Sequence, residues 1–351
     1  MNRSPFCKLA SPADYVACEL DLVKQSEERA YLIDMFKRHF PTLLKHGVDV
    51  GVARGERREV AQTRAVNCQS DLNRQFDAFG QSPDQFGRVT ALTLDEWRDQ
   101  TLRRYGFEDP FVDLKEKEND LAIRMLPRVC EEIDAIIDER EQLRGVIEGV
   151  FAGNIFDMGA EETARQIMEG KLDFFRTRES LPRRPWLIDQ YDALERAFLT
   201  KRYRKLVLFV DNAGADFVLG TLPLSRWFAR QGTQVVLVGN ELPTLNDMTV
   251  HDIRNLWPRV IATEQSFAEL PIIVVSSGTG EPLIDLSLVS DELNQASSDA
   301  DLVIIQGMGR GVESNLNAAF ACDAANLAMI KDPFVARFNG GTIYDVVCRF
   351  R

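Results

Sequence analysis

The sequence predicts an α/β protein: a three-layer α/β/α sandwich with a mainly parallel sheet, preceded by a helical N-terminal domain. Three observations predict it. From Lys205 onward, short apolar runs alternate with helical stretches, the signature of βαβ units. Those runs carry no alternating polar residues, as expected of strands covered by helices on both faces. Before about residue 200 the chain is rich in helical periodicity and poor in strand-like runs. The expected division is therefore 1–200, a helical domain contributing to the cleft, and 201–351, the α/β/α domain.

Taken in order, EERAYLIDMFKRHF and LDEWRDQTLRRYGF read as amphipathic helices. In MLPRVCEEIDAIIDEREQLRGVIEGVF, Val129, Ile133, Ile136, Leu143 and Ile147 recur at steps close to one helical face. Pro127 sits near the start of that stretch, where proline is tolerated. RTRESLPRRPWLIDQ, with Pro182 and Pro185, breaks the helical pattern and reads as a connection. KLVLFV is the first strand, and DFVLGTLPLSRWFARQG the helical stretch after it. QVVLVG, PIIVVSS, DLVIIQG and LAMIK continue the strands. VHDIRNLW, LIDLSLVSDEL and SNLNAAFAC stand between them, and TIYDVVCRF closes the series. There is no internal repeat and no low-complexity segment.

With 351 residues, 45% hydrophobic and 27% charged, the composition is that of an ordinary soluble globular protein. The net charge of −12 argues against a general nucleic-acid binder. Six cysteines, Cys7, Cys18, Cys68, Cys130, Cys322 and Cys348, are scattered without a CxxC. That pattern fits reduced thiols, not a disulfide scaffold or a zinc site. The opening MNRSPFCKLASPADYVACEL lacks the apolar core of a signal peptide. No run approaches the roughly 18 apolar residues that span a membrane. The expectation is a cytoplasmic protein with neither nucleic acid nor membrane as partner; the oligomeric state stays open. His39, His46 and His251 share no metal-ligand spacing and give no support to a histidine-based nucleophile system.

Polar residues gather just after the strands. Asp211 and Asn212, in FVDNAGAD, follow the first, and Asn246 and Asp247, in NELPTLND, the second. SSGTGEP follows the third, GMGRG (307–311) the fourth, and Lys331 ends the fifth. In a parallel sheet these ends share one edge, where such folds bind ligands. Asp211, Asn212 and Asp247 offer hard oxygen ligands suited to Mg²⁺ or Mn²⁺. The glycines let backbone N–H groups approach an anion, and Arg310 and Lys331 can neutralise phosphate. Together these groups are what phosphoryl hydrolysis needs. Taken singly, each has a plainer reading. Asp-Asn after a strand is commonly a turn or cap. GMGRG lacks the full GxGxxG spacing, and no GxxxxGK[ST] is present. Arg310 or Lys331 alone reads as surface charge. The convergence of five strand ends is what favours a site for an anion and a metal.

FVDNAGADFVLGTLPLSRWFARQGTQVVLVGNELPTLND, together with GMGRGVESN and FAGNIFDMGA (151–160), resembles the metal-dependent damage-control phosphatases, once called domain of unknown function 89. The likeness runs from about Lys115 to the C-terminus, and more loosely over the helices before it. It is strongest to the subfamily that includes plant stand-alone phosphatases and the C-terminal domain of pantothenate kinase 4. The resemblance implies a metal on Asp211, Asn212 and Asp247, with Mn²⁺, Mg²⁺, Co²⁺ or Ni²⁺ as the divalent ion. It implies a phosphate-side loop over Gly307, Met308, Gly309 and Arg310, and a substrate lysine at Lys331. Asn154 and Asp157 are implied to face the same cleft. Asp216, one helical turn past Asn212, reads as a support behind the metal ligands or as a proton donor, and more plainly as a charge at a helix N-terminus. The implied substrate is a small phosphorylated metabolite, 4′-phosphopantetheine or its oxidised forms, or a sugar phosphate. The resemblance leaves open whether water or the Asp211 carboxylate attacks phosphorus. One departure stands out: Gln306 replaces the glutamate of the subfamily's Glu-Gly-Met-Gly-Arg. If that position orients Arg310, activity survives; if it transfers a proton, activity weakens. Two rival classes are a methyltransferase-like protein binding a nucleoside cofactor and a non-catalytic metabolite-binding protein.

Overall fold

The computed structural model describes residues 2–155 and 174–351. After a short strand β1 (Arg3–Ser4), helices α1 (Ser26–Ala53), α2 (Arg58–Gln81) and α3 (Ala91–Arg104) pack on one another. In α1 the buried residues Leu32, Phe36, Phe40, Leu43 and Leu44 fall three or four apart, one apolar stripe. α4 (Val112–Asp134) and α5 (Glu139–Ile155) follow. Pro127 lies inside α4, not at the start of a helix. The buried stripe Ile123, Leu126, Cys130 and Ile133 runs through the proline and holds the helix together. The break falls instead before α5. There the Asp138 carboxylate accepts the N–H groups of Arg140 (2.9 Å) and Glu141 (3.1 Å).

α6 (Phe174–Glu179), β2 (Ile188–Asp189) and α7 (Tyr191–Thr200) come next. The stretch read as a connection thus contains a sheet strand, too short for periodicity to reveal. Then follow β3 (Lys205–Phe209), α8 (Leu222–Arg230), β4 (Gln234–Gly239), α9 (Val250–Thr263) and β5 (Ile272–Ser276). β6 (Val289–Ser290), α10 (Asp291–Ser297), β7 (Leu302–Gln306), β8 (Asp323–Met329), α11 (Pro333–Phe338) and β9 (Val346–Phe350) complete the order. The main sheet runs β2-β9-β8-β7-β3-β4-β5. β5, β4, β3, β7 and β8 are parallel, while β9 is antiparallel to β8 and parallel to β2.

SNLNAAFAC, which the alternation predicts to be helical, forms turns. Its side chains compete with a helix for carbonyls. Asn315 donates to the carbonyls of Ile284 and Arg310, both at 3.0 Å, and Asn326 to those of Gly311 (2.7 Å) and Asn315 (3.2 Å).

Side-chain alternation along β3 sends Leu206 and Leu208 to one face and Val207 and Phe209 to the other. The first face shares its core with Leu126 of α4 and Val146 and Phe151 of α5. The second packs against Phe6, Leu286 and Leu293. The α1–α3 helices share a third cluster with Ala328, Ile330, Phe334 and Val347. The chain moves outward from β3 to β4 and β5, then returns to β7 on the other side of β3. The carboxyl ends of β3 and β7 therefore flank a topological switch point, where open α/β sheets bind ligands.

Candidate active site

Two and three residues past β3 stand Asp211 and Asn212, both buried. The loop after β4 is stitched to them. Ala213 N–H donates to the Asn246 carbonyl (2.9 Å) and Met248 N–H to the Asp211 carbonyl (2.9 Å). This brings Asp247 beside Asp211. Asn240, just past β4, donates to Asp247 Oδ2 at 3.3 Å.

From the other side of the switch, Gly307 follows β7 with φ +95°. A Cβ there would lie 2.2 Å from the Asp211 carboxylate, so only glycine permits this approach. The chain then makes a π-helical turn, Gly309–Glu313, which carries Arg310. Arg310 is fully buried. Its Nη1 donates to Asp211 Oδ1 and its Nη2 to Asp247 Oδ2, the latter at 2.6 Å. Burial alone would lower the guanidinium pKa, but Asp247 and Asp211 outweigh it and raise the pKa. Arg310 thus clamps the two carboxylates from behind.

A second π-helical turn, Asp216–Thr221, leads into α8. Such turns inside helical stretches recur at functional sites. Asp216 Oδ2 accepts Asn212 N–H (3.3 Å), Asn212 Nδ2 (3.2 Å) and Asn154 Nδ2 (3.0 Å). Its Oδ1 accepts from Gln306 Nε2. Gln306 Oε1 accepts from the Thr221 hydroxyl at 2.6 Å. Gln306 therefore orients Asp216, and its side chain does not bond Arg310.

Asn154 reaches the cluster from α5 because of its neighbour. A Cβ on Gly153 would sit 2.9 Å from the Ala215 carbonyl oxygen and the Asp216 Cα, so glycine lets the helix meet the π-turn backbone to backbone. Asn154 Nδ2 also donates to Asp211 Oδ2 (3.1 Å), and its Oδ1 accepts Met329 N–H (3.3 Å). Asp157 lies outside the described residues.

A cavity of about 280 Å³ opens on this cluster. Asp211, Asn212, Asp247, Met308, Gly309 and Lys331 line it, and Pro282 brings in the loop after β5. The five strand ends do converge. Met308 Sδ accepts the Lys331 N–H at 3.2 Å, tying the β7 and β8 ends together. Gly307 and Arg310 stand behind the wall.

The donor set fits a divalent ion. Asp211, Asp216 and Asp247 gather three buried carboxylates at the switch point, two of them bonded to the Arg310 guanidinium. Asn212 Nδ2 donates to Asp211 Oδ2 (2.8 Å) and to Asp216, which turns the amide oxygen away from both carboxylates. Among the described residues no group of three or more His, Cys, Asp or Glu side chains forms a metal cluster. The set here is two carboxylates and one carboxamide, all hard oxygen donors.

Sequence reasoning missed several residues. Asn240 follows β4 much as Asp211 follows β3, and the same logic would have found it. Asn119 Oδ1 accepts Gly214 N–H at 2.8 Å. Asp95 and Arg98 of α3 line the cavity. They sit among charged residues of an amphipathic helix, and nothing in the pattern separates them from a solvated face.

Comparison with known proteins settles the family. The model of the damage-control phosphatase ARMT1-like domain matches residues 35–347. The chain belongs to this family. A damage-control phosphatase of Arabidopsis thaliana is 36% identical over 99% of this chain and 96% of its own length. Pantothenate kinase 2 of the same plant is 35% identical over 98% of this chain, which spans only 41% of that protein. The mouse 4′-phosphopantetheine phosphatase is 25% identical over 97% of this chain and 48% of its own length. Among solved structures, a domain-of-unknown-function-89 protein from Pyrococcus horikoshii has a TM-score of 0.63 at 18% identity, covering 94% of this chain and 99% of its own. That structure supports the fold: a mostly parallel central sheet with many helices.

Proposed function

We propose that this chain is a metal-dependent phosphatase that hydrolyses phosphate monoesters of small metabolites. The observation that supports the proposal is the convergence of Asp211, Asn212, Asp247 and Lys331 on one cavity at the β3/β7 switch point. Family membership sets aside the methyltransferase-like reading. Asp211, Asn212 and Asp247 would hold a divalent ion, Mn²⁺, Mg²⁺, Co²⁺ or Ni²⁺. When bound, such an ion polarises a phosphoryl oxygen and offsets developing negative charge.

The chain's own residues do the rest. Lys331 neutralises phosphate charge, with Met308 and Gly309 forming the adjoining wall. Arg310 positions Asp211 and Asp247 and does not reach the phosphate. Asp211 is held on both oxygens, by Arg310 on Oδ1 and by Asn154 and Asn212 on Oδ2, which favours water over this carboxylate as the nucleophile. Asp216, equally enclosed, orients Asn212 and Asn154 instead of donating a proton. The mouse relative's name favours 4′-phosphopantetheine over sugar phosphates. We place the protein in the cytoplasm; among the described residues no helix is long and apolar enough to cross a membrane.

The test is p-nitrophenyl phosphate hydrolysis by metal-stripped protein, with each of the four ions added back. Turnover should need a divalent ion and fall at least ~10³-fold in Asp211→Asn and Asp211→Ala, as for loss of a group that organises the transition state. Asp211→Ala should also lose roughly 3–5 kcal/mol of stability by leaving Arg310 half paired. Folded wild type that turns over no ester with any ion would favour the non-catalytic binding reading.

A further inference from the structure

We propose that Glu313 is the catalytic acid that gives the leaving alcohol its proton. This deepens the phosphatase reading above and rests on it. When the P–O ester bond breaks, its electron pair stays on the alcohol oxygen. A donor within reach of that oxygen spares the site a free alkoxide. The groups already described supply none. Asp211 and Asp247 are bonded to Arg310, and Asp216 is enclosed by Asn154, Asn212 and Gln306. Lys331 serves the phosphate.

Glu313 stands on the wall where the proton is needed. It lines the same cavity as Asp211, Asp247 and Lys331. It closes the π-helical turn that opens at Gly309, and Gly309 lines the cavity too, so one face of that turn borders the substrate. Asp332, the residue after Lys331, acts on Glu313 by its charge, which places Glu313 beside the phosphate-side wall. Among the described residues the Glu313 carboxyl has no hydrogen-bond or ion-pair partner. Asp95 also lines the cavity but is held by Arg98 at 2.5 Å. His39 of α1 lines it as well, yet is exposed, where water can replace it as a donor.

The surroundings keep this acid protonated. Desolvation, then the charges of Asp95 from α3 and Asp332 from the start of α11, push its carboxyl up to about 8. The nearby cations are spent elsewhere. Arg98 bonds Asp95 and Asp99, Arg88 donates to the Cys18 carbonyl (2.5 Å), and Lys24 pairs with Asp21 (3.3 Å). From the N-terminal segment, Asp14 and Glu19 add only negative charge, and the Cys18 thiol, pushed up to about 12, stays neutral. A carboxyl that keeps its proton at neutral pH is suited to general acid work. Water adds to phosphorus, the P–O ester bond breaks, and the alcohol oxygen takes the Glu313 proton. The water's proton passes to solvent, from which the Glu313 carboxylate is reprotonated.

The test is kcat/KM for p-nitrophenyl phosphate, phenyl phosphate and glycerol 2-phosphate, whose leaving groups are increasingly basic, with one divalent ion throughout. Glu313→Gln should slow glycerol 2-phosphate about 10²–10⁴-fold, and p-nitrophenyl phosphate at least about tenfold less, because a stable phenolate needs little help. Glu313→Asp, an acid on a shorter arm, should recover part of the loss. In wild type, kcat/KM for glycerol 2-phosphate should fall as pH rises through about 8, since the acid must be protonated, and Glu313→Gln should lose that limb. Read without turnover, the infrared band of a protonated carboxyl should be present below that pH and missing from Glu313→Gln. Equal losses for all three esters at unchanged Tm, or a steeper leaving-group dependence in His39→Gln instead, would overturn the inference. A glutamine variant that does not fold leaves the decision to the wild-type limb: present for the alkyl ester alone it supports Glu313, and absent it overturns it. Wild type that hydrolyses no ester with any ion fails the phosphatase reading, and Glu313 falls with it; wild type that is active while the variant slows every ester alike fails Glu313 alone.

Discussion

Replacing Gln306 by glutamate would set two carboxylates face to face. Gln306 Nε2 now donates to Asp216 Oδ1, and Asp216 in turn holds Asn212 and Asn154. Two carboxylates at hydrogen-bond range cannot both ionise at modest cost, so one keeps its proton and the pair titrates above the usual carboxylate range. The sign follows from proton counting. The folded variant binds more protons than its unfolded chain, so its stability falls as pH rises through the raised pKa. Gln306→Glu should match wild type in urea near pH 5 and lose about 2 kcal/mol by pH 8, the scale of a broken buried hydrogen bond. Parallel pH profiles for the two proteins would show that Gln306 does not govern Asp216. Proximity to Arg310 in the sequence suggested a different partner; only the fold shows that the two side chains point to different carboxylates.

The loop after β4 depends on an element far away in the chain. Thr244 donates to Asp99 Oδ2 of α3 (2.6 Å) and accepts from Arg98 Nη2 (3.0 Å). Its carbonyl accepts Asp247 N–H at 3.1 Å. α3 therefore holds the loop that carries Asp247. Thr244→Val keeps the shape, removes both side-chain hydrogen bonds and should cost about 1–3 kcal/mol. It should also weaken divalent-ion binding by calorimetry several-fold, with Thr244→Ser restoring it. Unchanged ion affinity in the valine variant would sink the idea. This dependence explains what was legible in sequence. Strands β3, β4, β5, β7 and β8 announce themselves as apolar runs, and Asp211, Asn212, Asp247 and Lys331 as polar residues at their ends. β2 is two residues long, and Asp95, Arg98 and Asp99 look like surface charge. Their meaning lies in contacts across some 150 positions of chain, to which local pattern is blind.

At the scale of the molecule, the helical part and the sheet share one interior. Leu126, Val146, Ile147, Val150 and Phe151, all before residue 200, are at most 1% exposed and belong to the same cluster as Leu206, Leu208, Leu237 and Ile304 of the sheet. Burying each such side chain contributes roughly 1.5–3 kcal/mol. Together they rival the net stability of an ordinary domain, about 5–15 kcal/mol. Asn154 adds a functional tie, because the same α5 backbone contact that seals the core also delivers its amide to Asp211 and Asp216. Core and site therefore form together. The full chain should unfold in urea as one transition, with circular dichroism and tryptophan fluorescence coincident. A fragment of residues 201–351 should leave one face of its sheet bare, bind a hydrophobic dye and show no cooperative melt. A folded 201–351 fragment, or two separated transitions in the full chain, would mean that the sheet is an independent domain and that the helices only cover it.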